Sequence, residues 1–327
     1  MALPRLKPCP RPQLLHPLAN ARVPRRAFCT APASYRKNED PRYTELGHQI
    51  VDDYAQVRGS YRCPEHPLVL AHGLLGFDEI HLAGSYLPGI QYWRGIINAF
   101  TSHGVETITC SVPASASIEE RAAKLGKDIE QKAGGKSVNI IAHSMGGLDA
   151  RYMISRLKPP NVKVLSLTTI ATPHRGSAVA DRIFHQIGEA RLPQIYRMLN
   201  RLSLESGAFQ QLTRRYMREH FNPATPDLDG VKYLSYGAAT IPAPWSVFRQ
   251  SYRIVKEVEG ANDGLVSVSS SQWGHYKGTL MGVSHLDLIN WTNRLRWLFS
   301  DMIGKKRNFN AIALYLSIAE MLADEGF

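Results

Sequence analysis

A chain of 327 residues is long enough for one large α/β domain with an ample core, or for two ordinary ones. Its net charge of +11 is concentrated at one end: Arg5, Lys7, Arg11, Arg22, Arg25, Arg26, Arg36 and Lys37 precede the first acid, Glu39, and beyond them 31 basic residues face 28 acidic ones. So balanced a body speaks against nucleic-acid binding; no apolar run is long enough to span a bilayer, and four cysteines without metal-ligand spacing indicate neither a disulfide framework nor a cysteine-bound metal, which suits a reducing compartment.

Residues 1–38 are Arg-rich, free of acid and broken by prolines, as in "MALPRLKPCPRPQLLHPLAN", and they lack the continuous apolar core of a secretory signal. The segment resembles a mitochondrial transit peptide, and "RRAFCTAPAS" looks like its processing region, with cleavage expected just after Phe28. The expectation is a mitochondrial protein whose folded domain covers residues 39–327.

Past residue 60, strand and helix signals alternate. "PLVLAH" (67–72) predicts a strand leading into the Gly-rich "GLLG", and "GIQYWRGIINAFTSHG" (89–104) predicts a helix closed by Gly104. "VETITCSVP" (105–113) reads as a strand. "SIEERAAKLGKDIEQKAGG" (117–135) reads as a charged surface helix with Ser117 and Glu120 at capping-box spacing. Residues 138–141 form a buried strand, Leu148 onwards a helix, and "VLSLTTIATP" (164–173) another strand. The alternation implies a mostly parallel sheet with helices on both faces. It breaks after "ATPHRGS" (171–177): residues from 178 to about 230 read as helices before "KYLSYGA" (232–238) resumes the sheet. Such an insertion on the loop-bearing edge is placed to cap a site. "AIALYLSIAEMLA" (311–323) is too short to span a bilayer, carries Glu320, and reads as a packed amphipathic helix.

The chemistry centres on "NIIAHSMGGLDARY" (139–152). A serine that must project into a cleft from the end of a strand needs a sharp turn, with small residues two before and two after it. Ala142 and Gly146 hold those positions around Ser144, which makes the stretch a nucleophile elbow with alanine in the first glycine position. A serine hydroxyl is a poor nucleophile until a histidine takes its proton and a carboxylate orients that histidine. In α/β-hydrolases the order is Ser, acid, His. Downstream histidines are His174, His185, His220, His275 and His285. His285, in the loop-like "MGVSHLDLINW", is the expected base. Asp263, in "EGANDGLVSVSS", is the expected acid, in a turn between strand-like segments. Asn262-Asp263-Gly264 is also what turn chemistry alone would place there. The oxyanion hole is expected from the backbone N–H groups of Met145, after the nucleophile, and Leu74, after His72-Gly73.

"HGLLGFD", "YWRGI", "AHSMGGLDARY", "TTIATPHRGS", "ANDGLVSVSS" and "SHLDLIN" resemble, in the same order across about residues 66–292, the motifs of the bacterial true lipases of family I. With the basic leader and the ending "FNAIALYLSIAEMLADEGF", the chain also looks like the fungal mitochondrial triacylglycerol lipases. The resemblance implies an α/β-hydrolase fold and a serine-dependent ester hydrolase acting on acylglycerols, with Ser144 as nucleophile, Asp263 as acid, His285 as base, and Leu74 and Met145 as oxyanion donors. A phospholipase or a lipid acyltransferase would use the same residues. An inactive hydrolase fold serving as a binding module is the alternative from another class; it would be expected to lack a triad or oxyanion element, none of which is missing here. The resemblance also implies a structural calcium, for which Asp287 matches one ligand. The second aspartate has no counterpart, since none lies between Asp229 and Asp263, and Trp291 stands at the downstream ligand position. Calcium takes six to eight oxygens, so one carboxylate is thin support: no cofactor or metal is assigned, a structural calcium at Asp287 stays open as the alternative, and Asp287 is otherwise read as a residue that orients the loop or caps a helix.

Within the insertion, "LPQIYRMLNRLSLES" places Ile195, Met198, Leu199 and Leu202 on one helical stripe with Arg197 and Arg201 off it. The stripe suits a lid that covers an apolar pocket in water and turns towards lipid, and it equally suits a helix packed permanently on the core; the location of the insertion favours the lid. The partners expected are a lipid ester and, transiently, a membrane or lipid-droplet surface.

Overall fold

Leu68 and Leu70 point to one face of a sheet, Val69 and Ala71 to the other, and all four are buried. A strand with no polar side belongs inside a sheet covered on both faces. The computed structural model describes residues 46–74, 79–80, 90–114, 116–184, 207–291 and 309–327. In chain order its strands are β1 (Gln49–Ile50), β2 (Leu68–Ala71), β3 (Glu79–Ile80), β4 (Ile90–Gln91), β5 (Thr107–Cys110), β6 (Val138–His143), β7 (Val164–Ile170), β8 (Lys232–Ala239) and β9 (His275–Met281). Among the described residues, seven of them form one sheet in the order β1-β9-β8-β7-β6-β2-β5, and every pairing in it is parallel. The register sets Ala71 beside Ala142 on one side and Cys110 on the other, and His143 beside Ile170. β3 and β4 pair antiparallel, apart from the main sheet.

The described helices include α1 (Ile96–Ser102), α2 (Ile118–Ala133), α3 (Gly146–Tyr152), α4 (Gly207–Gln211), α5 (Arg214–Tyr216), α6 (Arg249–Glu259), α7 (Val268–Ser271) and α8 (Ala311–Asp324). Helices α1 and α8 cover the Leu68/Leu70 face through Ile96, Phe100, Leu314, Tyr315 and Ile318; α2 and α3 cover the Val69/Ala71 face through Ala122, Leu125, Ile129 and Ala150. Each fully buried Leu or Ile of these layers contributes roughly 1.5–3 kcal/mol. The capping signal on α2 is realised: Ser117 Oγ accepts from the N–H of Glu120 at 3.3 Å, and Gly134, at φ 59°, ends the helix.

Three local expectations need correction. The helix read over 89–104 begins only at Ile96: residues 90–91 are extended, and Gly95, at φ 74°, makes the turn into α1. Asp263 does not lie between strands; α6 precedes it, α7 follows it, and one Asn262–Ser267 bridge closes the turn. Serine-rich "SVSS" takes the helical form because Ser267 Oγ caps α7 by accepting from the N–H of Ser270. Finally, α2 is not a wholly charged surface helix, since Arg121 is completely buried. The lid stripe at 195–202, His185 and residues 1–38 lie outside the described residues.

With all pairings of the main sheet parallel, its strands end on one edge. That edge gathers the turns after β2 (His72-Gly73), β6 (Ser144), β7 (Ala171-Thr172) and β8, and the loop after β9 that carries His285.

Candidate active site

β6 is buried over its whole length and stops at Ser144, whose φ of 55° lies in the left-handed region that a residue with a Cβ enters at a cost of about 1–2 kcal/mol. Three hydrogen bonds hold it there. The Ser144 N–H donates to Ile170 O (2.9 Å), and its carbonyl accepts from Thr172 Oγ1 (2.7 Å) and the Gly147 N–H (3.1 Å). The small residues earn their places by contact. A Cβ on Gly146 would lie 2.5 Å from Ala71 O and 2.7 Å from His72 O, which are backbone atoms unable to yield cheaply. A Cβ on Gly73 would lie 2.8 Å from Ser144 Cβ, so the loop after β2 rests directly on the elbow. Ala142 is tolerated at the first small position, fully buried in register between Ala71 and Thr169.

His285 donates from Nδ1 to Asp263 Oδ2 at 2.6 Å, which leaves Nε2 as the accepting nitrogen of the neutral ring. Asp263 is wholly buried, and its other oxygen, Oδ1, accepts from the N–H groups of Leu265 (3.0 Å) and Val266 (2.8 Å). A backbone bond from His285 N–H to Asp263 O, 3.0 Å, ties the two loops together. The His285 ring lies 4.6 Å, centroid to centroid, from that of His143, the residue before Ser144. The elbow, base and acid expected from the sequence thus converge on one edge of the sheet. Leu74 packs with Met145 and Leu148, and Ala208, Met217 and Phe221 from the insertion join the same cluster. The described part of the insertion is docked on the body: Gln211 Oε1 accepts from the N–H of Ile118 at 2.7 Å.

The other downstream histidines take different places. His174 is buried, stacks on Trp273 and meets Thr169 Oγ1 at 3.0 Å; His220 and His275 are exposed. Asp287 Oδ2 accepts from both the N–H (2.9 Å) and the hydroxyl (2.7 Å) of Ser284, bonds that hold the loop around His285, while the short helix Asp287–Ile289 has no side-chain cap. Among the described residues, no group of three His, Cys, Asp or Glu could hold a metal. Of the calcium ligands that the resemblance implies, Asp287 is the one carboxylate present, and its Oδ2 is engaged by Ser284.

Two supporting features escape a linear reading. Tyr92 Oη accepts from the N–H of Gly73 (3.0 Å) and is hydrogen-bonded to His143 Nδ1 at 2.6 Å. Burial, and then the neighbouring His285, push the His143 pKa well below 6.5, so this ring stays neutral beside the base. Arg121 donates to the carbonyls of His72 (2.9 Å), Gly73 (3.2 Å) and Pro113 (2.7 Å), with Asp149 Oδ2 at 2.8 Å as its counter-ion. The guanidinium therefore pins the loop that carries Gly73 and Leu74. Burial pushes the Asp149 carboxyl up to about 6 against the pull of Arg121. A signal for Arg121 exists in the sequence: it falls among Ile118, Ala122, Leu125 and Ile129, inside the apolar stripe of its own helix.

Residues 116–271 match the family described as PGAP1-like alpha/beta domain. Triacylglycerol lipase 2 of Saccharomyces cerevisiae is 37% identical over 330 residues, covering 86% of this chain and 98% of the yeast protein. A triacylglycerol lipase of Vibrio cholerae is 28% identical, over 72% of this chain and 83% of its own. Among solved structures, the lipase of Staphylococcus hyicus superposes with a TM-score of 0.56 at 20% identity, over 82% of this chain and 97% of that one. A metagenomic carboxyl esterase does so with a TM-score of 0.60 at 19% identity, over 83% and 79%. At such identities the structures establish the α/β-hydrolase fold.

Proposed function

We infer the reaction from one premise: the chain belongs to the α/β-hydrolase lipase family. It is a lipase-type ester hydrolase, and the proposed substrate is an acylglycerol, the class named for its yeast and Vibrio relatives. The observation that carries the mechanism is the Asp263–His285 hydrogen bond, 2.6 Å long, set against the elbow where Ser144 is held at φ 55°.

In the proposed sequence His285 Nε2 takes the proton of Ser144 Oγ as that oxygen attacks the ester carbonyl. The imidazolium so formed is stabilised by the Asp263 carboxylate at Nδ1–H. The oxygen of the tetrahedral intermediate accepts from the N–H groups of Leu74 and Met145. Collapse breaks the C–O bond of the ester, and His285 gives its proton to the departing alcohol. Water then attacks the acyl-enzyme by the same route and releases the fatty acid. No step passes through a metal. The chain meets its substrate at a lipid surface, transiently, and residues 1–38 direct it to mitochondria; their acid-free, Arg-rich composition supports that reading.

The test is covalent labelling with a fluorophosphonate, alongside turnover of p-nitrophenyl esters and emulsified triacylglycerol. Ser144→Ala is expected to abolish labelling and lower kcat by at least about a thousandfold. A variant that kept a tenth of wild-type turnover would remove Ser144 from the role. Preference for a phospholipid, or transfer of the acyl group to an alcohol over water, would change the substrate but leave the triad in place.

A further inference from the structure

Residues 240–248, "TIPAPWSVF", join β8 to α6 without a single charge. Among the described residues, the three most exposed large apolar side chains all belong to this loop: Trp245 at 86%, Val247 at 84% and Ile241 at 74%. Single exposed apolar residues are ordinary on a protein surface; three at one loop tip call for an occupant.

The loop is built as a stiff projection. Pro242 and Pro244 fix two φ angles, and the Ser246 N–H donates to Ala243 O at 3.0 Å. Its ends are anchored beside the acid loop: the Thr240 N–H donates to Asn262 O (2.9 Å), and Phe248 packs so close to Gly264 that a Cβ there would meet Phe248 Cβ at 2.9 Å. Asn262 and Gly264 flank Asp263, so both ends of the loop are fastened to the turn that carries the partner of His285. At its base Arg249 donates from Nη1 to Pro242 O at 3.3 Å, and Arg253 and Lys256 follow on α6.

We propose that residues 241–247 insert into a phospholipid–water interface with anionic headgroups, Trp245 and Val247 entering the acyl boundary while Arg249, Arg253 and Lys256 meet the phosphates. A preformed apolar tip loses little conformational freedom on insertion, tryptophan favours the interfacial zone, and flanking cations add attraction to anionic lipid. Because the loop is fastened to the Asp263 turn, its insertion would hold that turn and its partner His285 close to the lipid. The proposal rests on the ester-hydrolase reading for its purpose only, because lipid binding is measured without turnover.

The experiment uses the full chain and vesicles of phosphatidylcholine with phosphatidylglycerol, scored by flotation. Trp245→Ala and Val247→Asp are each expected to weaken vesicle binding at least about tenfold, the effect of withdrawing one large apolar side chain from lipid. Both lie on the surface, so the melting temperature should shift by no more than a few degrees, and turnover of a soluble short-chain ester should stay within about twofold of wild type. Variants that float like the wild type, or a wild type that does not float, would overturn the proposal. So would a lipid-free dimer that both substitutions dissolve, which would make the tip a contact between copies of this chain. A wild type that binds vesicles through this loop yet hydrolyses no ester would leave the proposal standing and remove the hydrolase reading instead.

Discussion

The hydroxyl of Tyr92 stands 2.6 Å from Nδ1 of His143, two buried groups that join the loop after β2 to the residue before Ser144. Because Tyr92 Oη also accepts from the Gly73 N–H, one hydroxyl fixes the spacing between the elbow and the loop that carries Leu74. Tyr92→Phe leaves the ring and removes that link. Its kcat on a soluble ester is expected to fall about tenfold with KM little changed, since a displaced Leu74 N–H matters most where negative charge develops in the transition state. An equal rise in KM at constant kcat would assign Tyr92 to substrate binding instead.

Asp263 and Asp287 separate by what each carboxylate touches. Asp263→Asn should cut kcat at least about a hundredfold, because an amide opposite Nδ1 carries no charge and presents a donor, which favours the wrong tautomer of His285. Asp287→Asn should leave kcat nearly intact and cost about 1 kcal/mol of stability through weakened bonds to the N–H and Oγ of Ser284. Measuring kcat and melting temperature on both variants decides the matter; a more crippled kcat for Asp287→Asn at unchanged stability would reverse the assignment.

Stability should fall on mild acidification. Burial is the leading cause that holds His143 and His174 well below their ordinary value of 6.5, so the unfolded chain takes up protons that the folded chain refuses. The stability from these neutral rings is complete above 6.5 and is lost as pH drops below it towards the depressed folded values. By about pH 6 the loss is roughly 1 kcal/mol per histidine. Below about 6 the raised carboxyl of Asp149 opposes the trend, since there the folded chain holds the extra proton. Urea unfolding between about pH 7.5 and pH 6 reads the slope, and His174→Gln should shrink it. A flat profile would mean that both rings have a polar route to protonation.

Residues 1–38 fused to a fluorescent reporter should carry it into mitochondria, where it should be shortened by removal of the leader, with the new terminus expected after Phe28. A reporter that stays cytosolic at full length would leave only a basic tail. Replacing Arg22, Arg25 and Arg26 with glutamine should impair import, because the cations are the feature that drives it.

What the sequence determined by itself is the local pattern and its order. Apolar runs such as Leu68–Ala71 and Val138–His143, alternating with helix signals, specify parallel strands buried on both faces. A serine boxed by Ala142 and Gly146 specifies the turn between β6 and α3, and capping at Ser117 specifies the start of α2. These features depend on neighbours within one or two turns of chain, so they survive in a linear reading. Some local patterns are compatible with two states: Gly95 cuts a helix short, and serine capping makes "SVSS" helical although its residues also suit a strand. The choice among partners belonged to the tertiary structure. Asp263 served both readings at once, its Oδ1 closing the turn on Leu265 and Val266 while Oδ2 meets His285 across 22 positions of chain. Arg121 became a buried pin for a loop some 48 residues away, and Tyr92 a bridge to His143 over 51. Such pairings depend on where the sheet register and helix packing deliver each side chain. A buried charge or hydroxyl is stable only once those distant partners have desolvated it and satisfied its hydrogen bonds together.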